Sequence, residues 1–560
     1  MIPASSTSSM SLAHEIAALH WRVLICDELS PAALAAFRDA GIEPEIRTGL
    51  AEADLIAAVP GVHALIVRSA TKITRAVIEA AHELRVVGRA GTGVDNVDCA
   101  AATERGVVVM NTPTGNTTTT AELAVSLLCA IARHIPRADR SVRSGSWKKK
   151  GLLGTELTGK TVGIIGMGRI GRTVANRVQG LCMETIGHDP FLQGADCPID
   201  GGAAVPLLPL EELLARADFV TLHIPRTDAT ANLLSAERLA LMKTGARLVN
   251  AARGGLVDEV ALAAALDRGE LAGAALDVLA EEPPGADHPL VGREDVILTP
   301  HLGASSHEAQ HKVAVGIAEQ ISQFLLEGVA DNAVNAPALP AETRRRIAPY
   351  VMLLERMGSF LAQHLGEPTR KLELTLAGEI AGEDAGPLES ALLTGLLRES
   401  LAGPVNFVNA PHIARERGLR VLHDNTGECH GYQSLVKVRA SARGGEPSVL
   451  VTGTVFGTNP RFVRIDDLHL DLAPRGLLLL TRHSDSPGVL GRVGTLLGQG
   501  AVNIRRVELG TPAIDAGQDA AQDTGSHAAG FFSLDNEPTP ATLEAIAALD
   551  PVESVQLIRL

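Results

Sequence analysis

The sequence predicts an α/β protein of several domains, built on parallel sheets with crossover helices. Three observations carry this. Apolar strand-like runs alternate with helical patterns from residue 21 onward, the order that yields a parallel sheet. A glycine triplet, Gly166, Gly168 and Gly171, joins one such strand to one such helix. At 560 residues the chain exceeds a single core, and at roughly 150 residues per domain it holds three or four.

Composition narrows the class. Apolar residues make up 46% and aromatics 2%, so the cores must be built from Ala, Val, Leu and Ile. A formal charge of −15 with no long basic run argues against a nucleic-acid or anionic-membrane surface. The cysteines Cys26, Cys99, Cys129, Cys182, Cys197 and Cys429 are scattered without C-x-x-C, which reads as reduced thiols, with no metal site. Residues 1–20 lack a basic start and an apolar core, so they do not read as a signal peptide. No apolar run of 18 residues occurs, so no membrane span is expected. The expectation is a cytoplasmic protein.

In chain order, strands are expected at Arg22–Cys26, Ala64–Val67, Leu84–Val87 and Val107–Met110, with helices at Ala32–Asp39 and Ala76–Ala81. Polar groups stand at the ends of these strands, in R-S-A-T from Arg68, R-A-G-T-G from Arg89 and N-T-P from Asn111. Loops at the carboxyl ends of parallel strands are where such sheets bind ligands. A long helix is expected over Thr117–Ile135, opened by threonines able to cap it. The basic patch Lys148–Lys150 follows and could reach a neighbouring subunit.

Thr161 to Gly171 then reads T-V-G-I-I-G-M-G-R-I-G, a short strand, a tight turn and a helix start. This is the setting in which G-x-G-x-x-G binds a dinucleotide, the helix N-terminus facing the pyrophosphate. Asp189 lies 18 residues beyond Gly171, close to where the ribose-binding acid belongs. No Arg or Lys occurs from His188 to Ala195, so NAD is expected over NADP. Further strands are expected at Phe219–Leu222, Arg247–Val249, Ala274–Val278 and Val296–Leu298. Three are followed by side chains that an ordinary turn does not need: Arg253, Glu282 and His301. A histidine can take a hydroxyl proton, a carboxylate can fix its tautomer, and a guanidinium can grip a substrate carboxylate. That combination suits hydride removal from a 2-hydroxy acid.

A helix over Ser305–Leu326 is expected to fold back on the first domain, and a linker is expected at Asp331–Pro340. Residues 341–473 read as another α/β unit, with helices at Ile347–Leu365 and Pro387–Leu401. Its strands are expected at Lys371–Leu376, Ser434–Val438 and Leu450–Val455. The last segment reads β-α-β-β-α-β, the ferredoxin-like plan, interrupted by a polar insert at Ile514–His527.

The motifs G-R-A-G-T-G-V-D-N-V-D at 88–98, M-N-T-P-T-G-N at 110–116, G-M-G-R-I-G at 166–171, N-A-A-R-G-G at 250–255, L-D-V-L-A-E-E-P-P at 276–284 and P-H-L-G-A-S at 300–305 occur together in this order. On them the chain resembles the long form of the D-3-phosphoglycerate dehydrogenases, within the D-2-hydroxyacid dehydrogenase superfamily. H-S-D-S-P-G-V from His483 resembles an ACT domain, the small amino-acid sensor. The resemblance implies a flavodoxin-like substrate domain (21–116 and 305–333), a Rossmann NAD domain (117–304), an intervening domain (334–473) and an ACT domain (474–560). It implies oxidation of 3-phosphoglycerate with NAD by a homodimer or homotetramer. Arg253, Glu282 and His301 would be substrate arginine, histidine partner and acid/base. Cofactor contacts would come from Thr92, Gly166, Gly168, Arg169, Ile170, Gly171, Asp189, Ile224, Ala251, Ala252, Arg253, Asp277, His301, Leu302, Gly303 and Ala304. Arg68, Arg89, Gly91, Gly93 and Asn116 would line the substrate side. An L-serine effector would meet His483, Asp485 and Asn503. The rival readings are a dehydrogenase for another acid, such as 2-hydroxyglutarate, and a non-catalytic NAD-binding sensor.

Overall fold

The computed structural model describes residues 21–337, 339, 341–401, 403–512 and 527–560. Its first sheet has five strands, β1 (Val23–Ile25), β2 (Glu45–Ile46), β3 (Ala64–Val67), β4 (Val86–Arg89) and β5 (Val108–Asn111). All pair in parallel, in the order β2-β1-β3-β4-β5, which is the flavodoxin-like order. β3 is apolar on both faces, because helices cover the sheet on both sides. The helix Pro31–Asp39 and the long helix His307–Glu327 cover one face through Phe37, Val313, Ile317 and Ile321. Leu55, Val77 and Ala101 cover the other. The strand expected at Leu84–Val87 sits two residues later, so Arg89 ends β4 and the loop beyond it begins at the cleft.

The segment expected as a linker is pinned down instead. Asn111 N–H donates to Asn332 (3.3 Å), Val334 N–H donates to Val109 (2.7 Å), and Val109 N–H donates to the Asn335 carboxamide (2.8 Å). β5 is an edge strand, and residues 332–335 satisfy the backbone groups it would leave open.

The second sheet comprises β6 (Thr161–Ile165), β7 (Glu184–His188), β10 (Phe219–Leu222), β11 (Ala246–Asn250), β12 (Leu271–Leu276) and β13 (Val296–Leu298). These are parallel in the order β7-β6-β10-β11-β12-β13, so the order reverses beside β6. A short antiparallel ribbon, β8 (Asp196–Cys197) and β9 (Val205–Pro206), follows β7. The helix expected over Thr117–Ile135 stops at Ala132. His134 turns left-handed at φ 52°, and a second helix, Ile135–Arg143, begins with proline in its first turn. Asn116 stands at the N-cap of the first helix, with no side-chain cap bond.

The last third is one ten-stranded sheet. β14 (Lys371–Gly378), β15 (Arg420–Thr426), β16 (Ser434–Ser441), β17 (Ser448–Phe456), β18 (Asn459–Ile465) and β19 (Leu468–Leu472) form its first part. Sequence reading expected three of these. β15, β18 and β19 were hidden by Arg, Asp and His on their open faces. The helices Ala341–Leu365 and Ala385–Arg398 cover this part through Leu353, Met357, Phe360, Leu392 and Leu396. β20 (Leu477–Ser484), β21 (Ile504–Pro512), β22 (His527–Leu534) and β23 (Val552–Arg559) continue the sheet. With helices Val489–Gln499 and Pro540–Ala547 they make the β-α-β-β-α-β unit, antiparallel in the order β21-β22-β20-β23. β19 joins β21 at Leu468–Pro512 and His469–Thr511. Of the polar insert, residues 514–526 lie outside the described residues, and His527 opens β22. Among the described residues no helix is long and apolar enough to cross a membrane, and no cluster of His, Cys, Asp and Glu could hold a metal.

Candidate active site

Strand ends decide where the functional side chains stand. At the carboxyl end of β6 the chain turns through Gly166 at φ 94°, where a Cβ would stand 2.6 Å from the carbonyl oxygen of His223. A Cβ on Gly171 would run into the Gly166 carbonyl, while one on Gly168 would meet nothing within 4 Å. Two glycines therefore serve packing, and the middle one leaves open the approach to the helix Arg169–Gly180. Asp189, just past β7, accepts from Met167 N–H (3.0 Å) and Phe191 N–H (3.0 Å), tying the acid to the glycine turn. A dinucleotide fits this cradle: an open helix N-terminus for phosphate, and a carboxylate one strand away for ribose.

The carboxyl ends of the two sheets face each other across a cleft of about 250 Å³. Arg89, Thr92, Gly93, Asp95, Asn116 and Thr120 line one side. Ile170, His223, Ile224, Pro225, Ala251, Ala252, Arg253, His301, Gly303 and Ala304 line the other. The structure therefore brings most of the expected residues together. Thr92 Oγ1 donates to Asn116 Oδ1 (2.5 Å), fixing the floor.

His301 Nδ1 lies 2.8 Å from Glu282 Oε2, and the other Glu282 oxygen accepts from Leu279 N–H at 3.0 Å. Glu282 thus holds Nδ1 and leaves Nε2 available to the cleft. His301 itself stands at φ 55°, so the loop turns sharply to present the ring. Asp277 explains how. Only 1% exposed, it accepts from Thr299 Oγ1 (2.5 Å), Leu302 N–H (2.8 Å) and Gly303 N–H (2.9 Å), while His301 N–H donates to the Asp277 backbone carbonyl (2.9 Å). Burial pushes its carboxyl up from the ordinary aspartate range, against those three bonds. Asp277 was expected on the cofactor wall. It anchors the 301–303 backbone, with Thr120 Oγ1 donating to the Gly303 carbonyl from the other side (2.7 Å).

Arg253 extends from the loop after β11. Its Nη1 donates to Ala252 (2.7 Å), and its Nε meets Asp95 Oδ2 at 3.2 Å. Arg89 is mostly buried, its Nε without a partner among the described residues. Burial first, and then the charge of Arg253, push its pKa down to about 10. Its guanidinium lies over Gly91, where a Cβ would collide with it. Arg68 is farther out, with Nη1 3.4 Å from the Glu28 carbonyl. The arginines leave the cleft with unsatisfied donors and positive charge, the chemistry of an anion site. Sequence reading missed Asp95 and also His223, whose Nε2 is 3.0 Å from Thr221 Oγ1. A lone Asp in a glycine loop and a lone His after a strand carry no spacing signal.

At the distant effector candidates, His483 is 2% exposed, with Nδ1 3.1 Å from the Ser484 carbonyl and Nε2 unpartnered among the described residues. The Asn503 carboxamide donates to Asp535 (2.5 Å), which also takes Arg505. Asp485 stands before the helix that Gly488 caps.

Comparison with known proteins agrees with this geometry. Residues 125–303 match the family described as D-isomer specific 2-hydroxyacid dehydrogenase, NAD binding domain. Residues 346–466 match the D-3-phosphoglycerate dehydrogenase intervening domain. The chain is 39% identical to the D-3-phosphoglycerate dehydrogenase of Archaeoglobus fulgidus, over 96% of this chain and 100% of that one. It is 37% identical to that of Bacillus subtilis, again over 96% and 100%. Among solved structures, a protein from Thermus thermophilus is 40% identical over 56% of this chain and 99% of its own, with a TM-score of 0.51. A glyoxylate reductase from Paecilomyes thermophila is 27% identical, covers 56% of this chain and 98% of its own, and has a TM-score of 0.52. With both domain models matched in place and full-length relatives aligned end to end, this chain belongs to the NAD-binding D-3-phosphoglycerate dehydrogenase family.

Proposed function

We propose that the protein oxidises 3-phospho-D-glycerate to 3-phosphooxypyruvate with NAD, the opening step of serine biosynthesis from that phosphorylated precursor. The observation that carries this is the His301–Glu282 pair at 2.8 Å in one cleft with two arginines, Arg253 on its own side and Arg89 on the other. His301 Nε2 takes the C2 hydroxyl proton as the hydride leaves, and Glu282 stabilises the imidazolium that forms. Arg253 grips the carboxylate, while Arg89 and Arg68, with Gly91, Gly93 and Asn116, receive the phosphate end. The glycine turn, Arg169, Ile170, Asp189, Ile224, Ala251, Ala252 and the Leu302–Ala304 loop would hold NAD, which supplies the hydride acceptor. Asp189 favours NAD over NADP, since a carboxylate repels a 2′-phosphate.

The same reading includes a homo-oligomer in the cytoplasm. The segment from Ile135 to Leu153 is an apolar and basic arm, with Trp147 82% and Leu153 92% exposed beside Lys148–Lys150, suited to burial on a second copy. It also includes L-serine at the C-terminal unit, taken by His483, Asp485 and Asn503. His483 Nε2, unpartnered among the described residues, supports this, and serine would exchange with Asp535 for the Asn503 carboxamide. The test is NADH oxidation with 3-phosphooxypyruvate against 2-oxoglutarate. Preference for the phosphorylated acid is expected; preference for 2-oxoglutarate would replace this reading with the 2-hydroxyglutarate one.

A further inference from the structure

We propose that Asp95 is a positioning residue that holds the Arg253 guanidinium in the rotation that meets the substrate carboxylate. This rests on the reading of Arg253 as the carboxylate-gripping group.

Asp95 belongs to the loop after β4, in the first sheet's domain, while Arg253 follows β11 in the second. Their ion pair therefore crosses the cleft. Although the Asp95 side chain is largely exposed, its backbone is fixed on both sides. Asn111 Nδ2 donates to the Thr92 carbonyl (2.5 Å), and Asn96 Nδ2 lies within bonding distance of the carbonyls of Arg68 (2.7 Å) and Thr71 (2.6 Å). Asp95 is thus a post set between two staples.

What it holds is one nitrogen of three. Nε is taken by Asp95 and Nη1 by the Ala252 carbonyl, which leaves Nη2 without a hydrogen-bond partner among the described residues. Nη2 points over Gly93, where a Cβ would strike both it and Asp95 Oδ2, so a side chain there would displace the pair. A guanidinium is planar, and fixing two of its nitrogens fixes the direction of the third. Arg89 is near enough to repel Arg253, a repulsion that, after burial, also lowers the Arg89 pKa. Without Asp95, Arg253 is free to swing away from Arg89, and the two cations no longer converge on one substrate.

Charge alone would act in the opposite direction. An acid beside an anionic substrate weakens binding, so deleting it would lower KM if orientation did not matter. The sign of the KM change therefore separates the two effects. Asp95→Ala is expected to raise KM for 3-phosphooxypyruvate by about 10- to 100-fold, with kcat and NADH affinity little changed. Asp95→Asn keeps an acceptor for Nε and is expected to restore most of the loss. In an Arg253→Ala background, Asp95→Ala should add nothing further. An unchanged or lowered KM in Asp95→Ala would overturn the proposal. So would an equal loss in the Arg253→Ala background, or a failure of Asn to rescue. If Arg253→Ala alone left KM unchanged, the reading of Arg253 would fall, and this proposal with it.

Discussion

The catalytic cleft and the seam between the helix Ala341–Leu365 and β23 are both dense in polar groups, and they use them in opposite ways. In the seam the polar side chains find partners in one another and in the strand. Gln363 donates to the Arg559 carbonyl (2.8 Å) and accepts from Arg559 N–H (2.9 Å), so one side-chain amide pairs with an edge strand as another strand would. Gln556 donates back to the Gln363 carbonyl (2.6 Å), and its Oε1 is 2.7 Å from His364 Nδ1. His364 Nε2 is 3.3 Å from Arg482, which also reaches Asp466. In the cleft, among the described residues, Arg89 Nε is buried without a partner, Arg253 Nη2 has none, and His301 is half exposed. Satisfied polar networks specify a docking; unsatisfied donors around a cavity await a ligand.

Four predictions press on that contrast, the largest first. His301→Ala should lower kcat by roughly two to four orders of magnitude in an NADH-oxidation assay, with the melting temperature unchanged. Arg89→Ala should raise KM by about 10- to 100-fold, from the loss of charged hydrogen bonds worth about 1.5–3 kcal/mol. Because the same change removes a half-buried cation with no ion-pair partner among the described residues, it should leave stability equal or higher. The charge of Arg89 is present below its pKa of about 10, so the wild-type KM should rise as pH climbs through that value and stay flat in the variant. A fall in both affinity and stability would erase the contrast.

Gln363→Ala should do the reverse, destabilising the C-terminal third by about 1–3 kcal/mol in denaturant unfolding while kcat stays put. The smallest effect concerns His364. Burial lowers its pKa below the ordinary histidine value of about 6.5, so the unfolded chain binds the extra proton first. Its contribution to stability is full above that value and lost as pH falls through it. His364→Gln should flatten this acid limb of the stability profile.

How much of this was legible in the sequence follows from the same distinction. Arg253, Glu282 and His301 stood out because a polar side chain at a strand end has no local reason to be there. The glycine turn was legible because its spacing is set by backbone sterics, which a reader can reconstruct. Asp277 was legible as a strand-end acid, but its bonds to the 301–303 backbone were not, because such an acid reads the same whether it binds backbone or faces a ligand. Asp95 was passed over because its partner lies 158 residues away. The Gln363–Arg559 pairing, 196 residues apart, was equally silent. The break at His134 is one left-handed residue, and residues 332–335 are held by an edge strand whose need for partners appears only once the sheet is assembled.

The central claim is that one cleft removes a hydride and a proton from a phosphorylated 2-hydroxy acid. The direct measurement is NADH formation by the full chain from 3-phospho-D-glycerate and NAD, with the keto product trapped because equilibrium favours the hydroxy acid. The account predicts turnover whose KM Arg253→Ala raises and whose kcat His301→Ala lowers by roughly two to four orders of magnitude. No NADH from 3-phospho-D-glycerate under trapping, or turnover indifferent to His301→Ala, would contradict it.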